Sequence, residues 1–292
     1  MQQGRIVRGI AGFYYVKLDD GSIIECKARG KFRKDKLSPI VGDNVIVEKI
    51  DEEKGVIDEI LPRKNELIRP QVSNIDQALL VFALREPDIS LEVLDRILVL
   101  TEYNNIEAVI CFNKADLDVE NKFDYLSNIY GKIGYRVIKT NAKTGEGIEE
   151  IKEILKNKTT VFAGPSGVGK STMFNKVQNK VIMQTGEISK KVSRGKHTTR
   201  HAELIDLDDN TYLVDTPGFS LIDLSFIEPD ELYRYFREFN EYSSECRFTS
   251  CLHNKEKDCR VKEMVEEGII SKERYENYIK FLNELQQNRR YK

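Results

Sequence analysis

Gly164-Pro165-Ser166-Gly167-Val168-Gly169-Lys170-Ser171 is a phosphate-binding signature. Its glycines let backbone N–H groups wrap an anion that side chains would obstruct. Lys170 reaches β- and γ-phosphate oxygens, and the Ser171 hydroxyl can ligate Mg²⁺. Thr172, next in the chain, completes the candidate phosphate contacts. This loop does not choose a base; Asn113-Lys114-Ala115-Asp116 does. The Asp116 carboxylate can accept from both N1–H and the exocyclic amine of guanine, a pair that adenine does not present. Asn113 would tie that loop to its neighbours, and the Lys114 stem would cover the base. Thr140-Asn141-Ala142-Lys143, at the end of the next expected strand, resembles a Ser-Ala-Lys loop whose backbone N–H, here at Ala142 beside Asn141, contacts the guanine O6, although residues 140–143 taken alone read better as an ordinary strand-end loop.

Further along, Asp215-Thr216-Pro217-Gly218 follows an apolar strand pattern. Asp215 would hold Mg²⁺ through water, and the Gly218 N–H would sense the γ-phosphate. In His197-Thr198-Thr199-Arg200, Thr199 is the expected third Mg²⁺ contact. Phe219 stands where a water-orienting Gln is found in Ras-like enzymes, and a phenyl ring cannot orient water. Slow intrinsic turnover is therefore expected, with His197 the nearest polar substitute; a plain solvent-exposed histidine is the competing reading. The catalytic set is thus Lys170, Thr199, Gly218 and His197. The guanine motif precedes the phosphate loop here, the reverse of the usual GTPase order, so the chain reads as a circular permutation.

Cys246, Cys251, His253 and Cys259 form a third constellation, Cys-x4-Cys-x-His-x5-Cys. Three thiolates and an imidazole make a closed tetrahedral zinc site with no position for a catalytic water, hence one structural Zn²⁺ per chain. Reduced free thiols are the alternative. Arg247, Lys255, Lys257 and Arg260 would make this lobe's surface basic, and Cys26 and Cys111 read as core residues.

The elements that must position these groups follow from periodicity. Short strands are expected at 5–10, 12–18, 22–27, 44–50 and 55–61, with a turn at Asp19-Asp20-Gly21. Five short strands without a long helix suggest an OB-type β-barrel, with an SH3-like module as the alternative. From about residue 70, strands (77–84, 106–112, 135–140, 159–163, 202–208, 211–215) alternate with helices (91–103, 148–155, 169–177), the pattern of a doubly wound α/β sheet. Beyond about 220 the chain is helical and polar. Its final helix carries Tyr275, Tyr278, Phe281, Leu282 and Leu285 on one face. The expected fold is therefore multidomain α/β. An OB-type barrel spans 1–66, a circularly permuted P-loop GTPase domain 67–221, and a helical zinc-binding lobe 222–292.

Hydrophobic content of 40%, charged content of 32% and a net charge of −2 describe a globular chain. No apolar run approaches the roughly 20 residues that span a bilayer, and there is no signal core, so a cytoplasmic protein without a membrane partner is expected. Five cysteines, an odd number, argue against a disulfide framework. Six basic residues against one acid in 27–36, and Lys190, Lys191, Arg194, Lys196 and Arg200, flank the nucleotide motifs. Such runs are solvated faces by default; two of them beside a nucleotide site raise the case for RNA.

An OB-like barrel, a permuted GTPase and a Cys-Cys-His-Cys lobe, in that order, resemble the ribosome small subunit-dependent GTPase A family (RsgA, YjeQ or YloQ). The resemblance covers essentially the whole chain, through Gly-Pro-Ser-Gly-Val-Gly-Lys-Ser, His-Thr-Thr-Arg, Asp-Thr-Pro-Gly-Phe and the zinc spacing. It implies a GTPase that binds the 30S subunit and its 16S rRNA late in maturation, is stimulated by it, and leaves after hydrolysis. It also implies that His197 is brought toward the attacking water on the subunit. Gly167 stands where potassium-activated relatives place Asn, which leaves potassium dependence open. An RNA-binding module using GTP as an allosteric ligand, and a factor acting on mature ribosomes, are the alternatives. The chain is expected to be a monomer binding GTP and GDP.

Overall fold

The computed structural model describes residues 1–34, 37–68, 71–178, 202–208, 210–215 and 223–290. His197, Thr199 and Gly218, and the basic residues of 190–200, lie outside the described residues. Asp215 is described as a backbone position only. In chain order the first elements are β1 (Gln2–Ile10), β2 (Phe13–Leu18), β3 (Ile23–Ala28), a single turn α1 (Lys31–Lys34), β4 (Asn44–Lys49) and β5 (Lys54–Ile60). A short hairpin of β6 (Glu66–Ile68) and β7 (Gln71–Ser73) leads to β8 (Gln77–Ala83), α2 (Leu91–Tyr103), β9 (Glu107–Asn113), α3 (Lys122–Lys132) and β10 (Arg136–Lys139). Then come α4 (Ile148–Leu155), β11 (Thr159–Ala163), α5 (Lys170–Val177), β12 (Glu203–Asp208) and β13 (Thr211–Asp215). The C-terminal part contains α6 (Arg237–Tyr242), α7 (Arg260–Glu266) and α8 (Lys272–Arg290). Among the described residues, no helix is long and apolar enough to cross a membrane.

The chain forms two compact units, neither continuous in sequence. One contains Met1–Leu79, Asn141–Ala163 and Gly169–Phe219; the other contains Leu80–Thr140, Gly164–Val168 and Ser220–Lys292. In the first, the strands β1-β2-β3-β5-β4 pair in that order, and β4 returns to pair with β1. β3 and β5 run parallel while the other pairs are antiparallel. That closure makes a five-stranded barrel and decides for the OB type over an SH3-like module. Its interior is filled from alternate positions along the strands: Ile6, Val16, Leu18, Ile24, Cys26, Val45, Val47 and Ile57 are buried, with a bulge in β1 where Ile6 and Val7 are both buried. Cys26 is thus a core residue, and burial pushes its thiol up to about 11. The barrel joins the rest of its unit where β1 lies antiparallel to β12, with Arg8 opposite Glu203, and where Lys17 pairs with Asp206. Beyond β12 the order continues through β13 to β11, which are parallel to each other.

The barrel and the hairpin after it are stitched by one buried charge. Asp43 is wholly buried, and its carboxylate accepts from Ile40 N (2.8 Å), the Ser73 hydroxyl (2.6 Å), and Arg63 Nε and Nη2 (2.7 and 2.8 Å). Gly42 lets the backbone come this close. Its φ is +94°, and a Cβ there would lie 2.2 Å from the Ser73 carbonyl oxygen.

In the second unit the strand order is β10-β9-β8, with β9 and β10 parallel. All of β8 is buried, as its uninterrupted apolar run requires. Helix α2 occupies the expected residues, with Ser90 capping it through Val93 N. The C-terminal lobe packs around Phe236, Phe239, Tyr278 and Phe281, and takes Val99 of α2 into the same core. Tyr278, Phe281, Leu282 and Leu285 of α8 are buried as periodicity predicts. Helix α3, not anticipated from the sequence, is amphipathic over a short stretch only; Leu126 and Tyr130 are its buried residues.

Removing the Asp43 carboxylate takes the acceptor from Ile40 N and the 2.6 Å partner from the Ser73 hydroxyl, and leaves Arg63 with Glu66 and the Ser38 carbonyl. Asp43→Ala is expected to lower unfolding stability by about 2–4 kcal/mol, read as a fall in the urea midpoint.

Candidate nucleotide and metal sites

In the second unit, β9 delivers Asn113 to the rim of the sheet, 2% exposed. Its Nδ2 donates to the carbonyl of Val168 (2.8 Å), so its Oδ1 must accept, and the Thr140 hydroxyl donates to it (3.1 Å). Thr140 N donates to Phe112 O (2.9 Å) and Ala115 N to Thr140 O (3.1 Å). Lys114 is held in the left-handed region at φ 61°, and its ammonium donates to the Glu86 carbonyl. Asp116 lies in a 3₁₀ turn, Ala115–Leu117, and is exposed, so its carboxylate faces solvent.

Gly164 has φ +135°, and a Cβ there would stand 2.0 Å from the Val81 carbonyl oxygen, which only glycine avoids. Gly167 has φ +81° and lies beside Pro87. Pro165 is partly buried, while Ser166 is exposed.

In the first unit, Gly169 (φ +99°) opens α5, whose first residues are Lys170, Ser171 and Thr172. This helix is anchored by Met173, Phe174 and Val177, with Phe174 packed edge-on against Phe162 at 5.7 Å. Burial holds the Lys170 ammonium below its ordinary value, so a phosphate would meet a cation already stripped of part of its water. Ala142 is buried. The Asn141 carboxamide oxygen accepts from Lys143 N (3.1 Å) and Thr144 N (3.3 Å), so that side chain shapes its own loop.

Cys246, Cys251, His253 and Cys259 come together in the second unit, with one ligand atom from each lying within 4.8 Å of the others. The imidazole Nδ1 is 3.6 Å from Cys246 Sγ and 3.4 Å from Cys259 Sγ; those two sulfurs are 3.9 Å apart. Metal–sulfur bonds of about 2.3 Å and a metal–nitrogen bond of about 2.0 Å place tetrahedral corners about 3.5–3.8 Å apart. The cluster therefore fits a tetrahedral metal ion, with Nδ1 as the imidazole ligand. Among the described residues, the buried His253 Nε2 has no hydrogen-bond partner, and the ring is boxed edge-on by Tyr233 (5.2 Å) and Phe239 (5.9 Å). Burial lowers the imidazole to about 4, which leaves it neutral and able to ligate. Burial raises the Cys259 thiol to about 12 and raises Cys251 as well, a cost that a bound cation reverses. The loop is fixed from behind by hydroxyls: Tyr275 donates to His253 O (2.8 Å) and Tyr278 to Leu252 O (2.7 Å).

Two of the four cations expected to make this lobe basic are matched by acids. Arg247 pairs with Asp258 at 2.7 Å, and Arg260 with Glu245 and Glu263 at 3.2 and 3.1 Å. The spacing of motifs does not single out Glu86 or Tyr233, and it marks Thr140 only as the first residue of the 140–143 loop, not as a partner of Asn113. Their signal is geometric: each reaches a motif residue from a distant part of the chain.

The family descriptions "RsgA GTPase" and "RsgA N-terminal domain" match residues 60–225 and 3–57. A protein of Caldanaerobacter subterraneus called "Small ribosomal subunit biogenesis GTPase RsgA" is 52% identical, over 99% of this chain and 98% of its own length. One of Clostridium perfringens with the same description is 54% identical, over 97% and 98%. The crystal structure of YjeQ from Thermotoga maritima superposes with a TM-score of 0.87 at 40% identity, covering 98% of both chains. That of YloQ, described as a circularly permuted GTPase, gives 0.84 at 38% identity, covering 99% of this chain and 96% of that one. With half its residues shared over nearly full length, and with the guanine motif ahead of the phosphate loop, this chain belongs to the RsgA GTPase family and hydrolyses GTP.

Proposed function

We propose that this GTPase binds the small (30S) ribosomal subunit through its 16S rRNA and couples GTP hydrolysis to a late step of that subunit's maturation. The observation that carries the reading of the site is the Asn113 amide bonded to the Val168 carbonyl. It joins the base-reading loop to the phosphate loop across 55 residues of chain. The reading of the partner is supported by the relatives described as small ribosomal subunit biogenesis GTPases. In this reading Asp116 selects guanine, Asn113, Lys114, Asn141 and Ala142 shape its pocket, and Gly164 to Thr172 hold the phosphates. Ser171, Thr199 and Asp215 surround Mg²⁺. Lys170 and the Gly218 N–H neutralise charge developing on the γ-phosphate, and His197 orients the attacking water.

Cys246, Cys251, His253 and Cys259 hold one Zn²⁺, because three soft thiolates with one imidazole in a closed tetrahedron suit that ion and leave no open position. The zinc fixes the lobe. The working division is a barrel at 1–66, the permuted GTPase domain at 67–221 and the zinc lobe at 222–292. The protein acts as a monomer in the cytoplasm.

GTP turnover measured alone and with 30S, 50S or 70S particles, against an ATP control, tests the partner. Large stimulation by 30S particles is expected; preference for 70S particles would instead indicate a factor of mature ribosomes, and no stimulation would remove the ribosome from the mechanism. Asp116→Asn exchanges an acceptor for a donor at the guanine edge. It should weaken GTP binding by roughly 10⁴-fold and improve xanthosine triphosphate, read by competition binding. His197→Ala should lower particle-stimulated kcat by about 10²–10⁴-fold with GTP affinity retained, and an unchanged kcat would return His197 to an ordinary loop histidine.

A further inference from the structure

Helix α2 is gripped by the C-terminal lobe along its whole length. Asp95, wholly buried, receives the Arg274 guanidinium of α8, the Asn277 amide (2.6 Å) and the Tyr130 hydroxyl (3.0 Å). Arg274, 2% exposed, also holds Glu238 of α6 in a fork, at 2.5 and 3.0 Å. On either side, Arg96 pairs with Glu284 at 2.8 Å and lies over the Phe281 ring, and Glu102 pairs with Arg237 at 2.7 Å. Val99 sits in the same buried cluster as Cys251 and Cys259.

The other end of this grip touches the nucleotide motifs. The short segment between β8 and α2 supplies the Glu86 carbonyl that anchors Lys114, and Pro87 packs beside Gly167. Just before it, Leu84 N donates to Asn113 O at 3.0 Å. Ser90 closes the segment by capping α2. A rigid helix therefore runs from the metal lobe's core to the backbone that seats the base-reading lysine and the phosphate loop. Its central contacts, Asp95 with Arg274 and Arg274 with Glu238, are buried charges whose partners cannot be exchanged for water, while the Lys114–Glu86 bond at its far end is exposed.

We propose that Arg274, through Asp95 on α2, is a positioning residue for the nucleotide site, so that metal binding in the lobe and nucleotide binding at the loops strengthen each other. The inference rests on the nucleotide and zinc assignments made under Proposed function. Linkage makes the effect reciprocal: whatever factor zinc gives to GDP affinity, GDP must give to zinc affinity.

The test uses the full chain and no turnover assay. Zinc affinity is measured by chelator competition with and without saturating GDP, and GDP affinity by a fluorescent GDP analogue on zinc-loaded and zinc-stripped protein. Both ratios are expected to agree and to fall within about 5- to 150-fold. GDP and zinc that each bind with affinities indifferent to the other would overturn this inference alone. GDP that fails to bind at all would overturn the nucleotide assignment together with it. The route is tested with Arg274→Met and with Asn277→Ala, the second of which strands no buried charge. Either folded variant should keep one zinc per chain while its coupling factor moves toward one, and a factor that stays at the wild-type value in Asn277→Ala and in Arg274→Met would overturn the role of the clamp.

Discussion

A guanine nucleotide presents two unlike ends, a flat base read by a carboxylate and a polyanion cradled by backbone amides, and both must be held in one fixed register. In this chain the two loops proposed to hold those ends are tied together by the Asn113 carboxamide. Because the Val168 carbonyl can only accept, the amide nitrogen must point to it, the amide oxygen must accept, and the Thr140 hydroxyl must donate. One buried side chain thus has both its polar ends committed, which costs rotamer freedom and returns a fixed distance between two loops.

Backbone proximity supports that register. Gly164 can lie against the Val81 carbonyl only because it lacks a Cβ and tolerates φ +135°. Lys114 adopts φ 61° with no such freedom, and its ammonium donates to the Glu86 carbonyl. The segment carrying Glu86 ends in α2, whose buried Asp95 faces a cation, an amide and a hydroxyl. Burial pushes the Asp95 carboxyl up, and the Arg274 guanidinium opposes that shift. Such a cluster is a poor source of net stability and a strong source of specificity, because any other seating of α2 would leave a buried charge unmatched.

The lobe around the four sulfur and nitrogen ligands is built the same way, by constraint more than by volume. Aromatic rings box the His253 imidazole, so the ring has one orientation and Nδ1 one direction. Tyr275 and Tyr278 fix the backbone carbonyls behind it. Most metal-bound imidazoles donate their second N–H to an oxygen; here the second nitrogen meets ring edges and faces. A bound cation would meet the cost of gathering three thiols in a buried place.

Local chemistry made much of this legible in the sequence. The Gly164–Ser171 loop, the Asn113–Asp116 tetrapeptide and the cluster of Cys246, Cys251, His253 and Cys259 are each written in a few residues close together in the chain. The barrel's strands were legible from their two-residue alternation and α2 from its helical spacing, because both record a face turned toward a core. What the tertiary structure alone decided is everything that depends on residues far apart in sequence. Barrel closure through β1 and β4 settles OB against SH3-like, and no strand pattern encodes which edge pairs with which. Thr140 meeting Asn113, Glu86 meeting Lys114 and Arg274 meeting Asp95 are pairings across 27, 28 and 179 residues. Their side chains are ordinary hydroxyls, carbonyls and charges with no local spacing to mark them. Periodicity reports which face is buried; only the folded chain reports what that face is buried against.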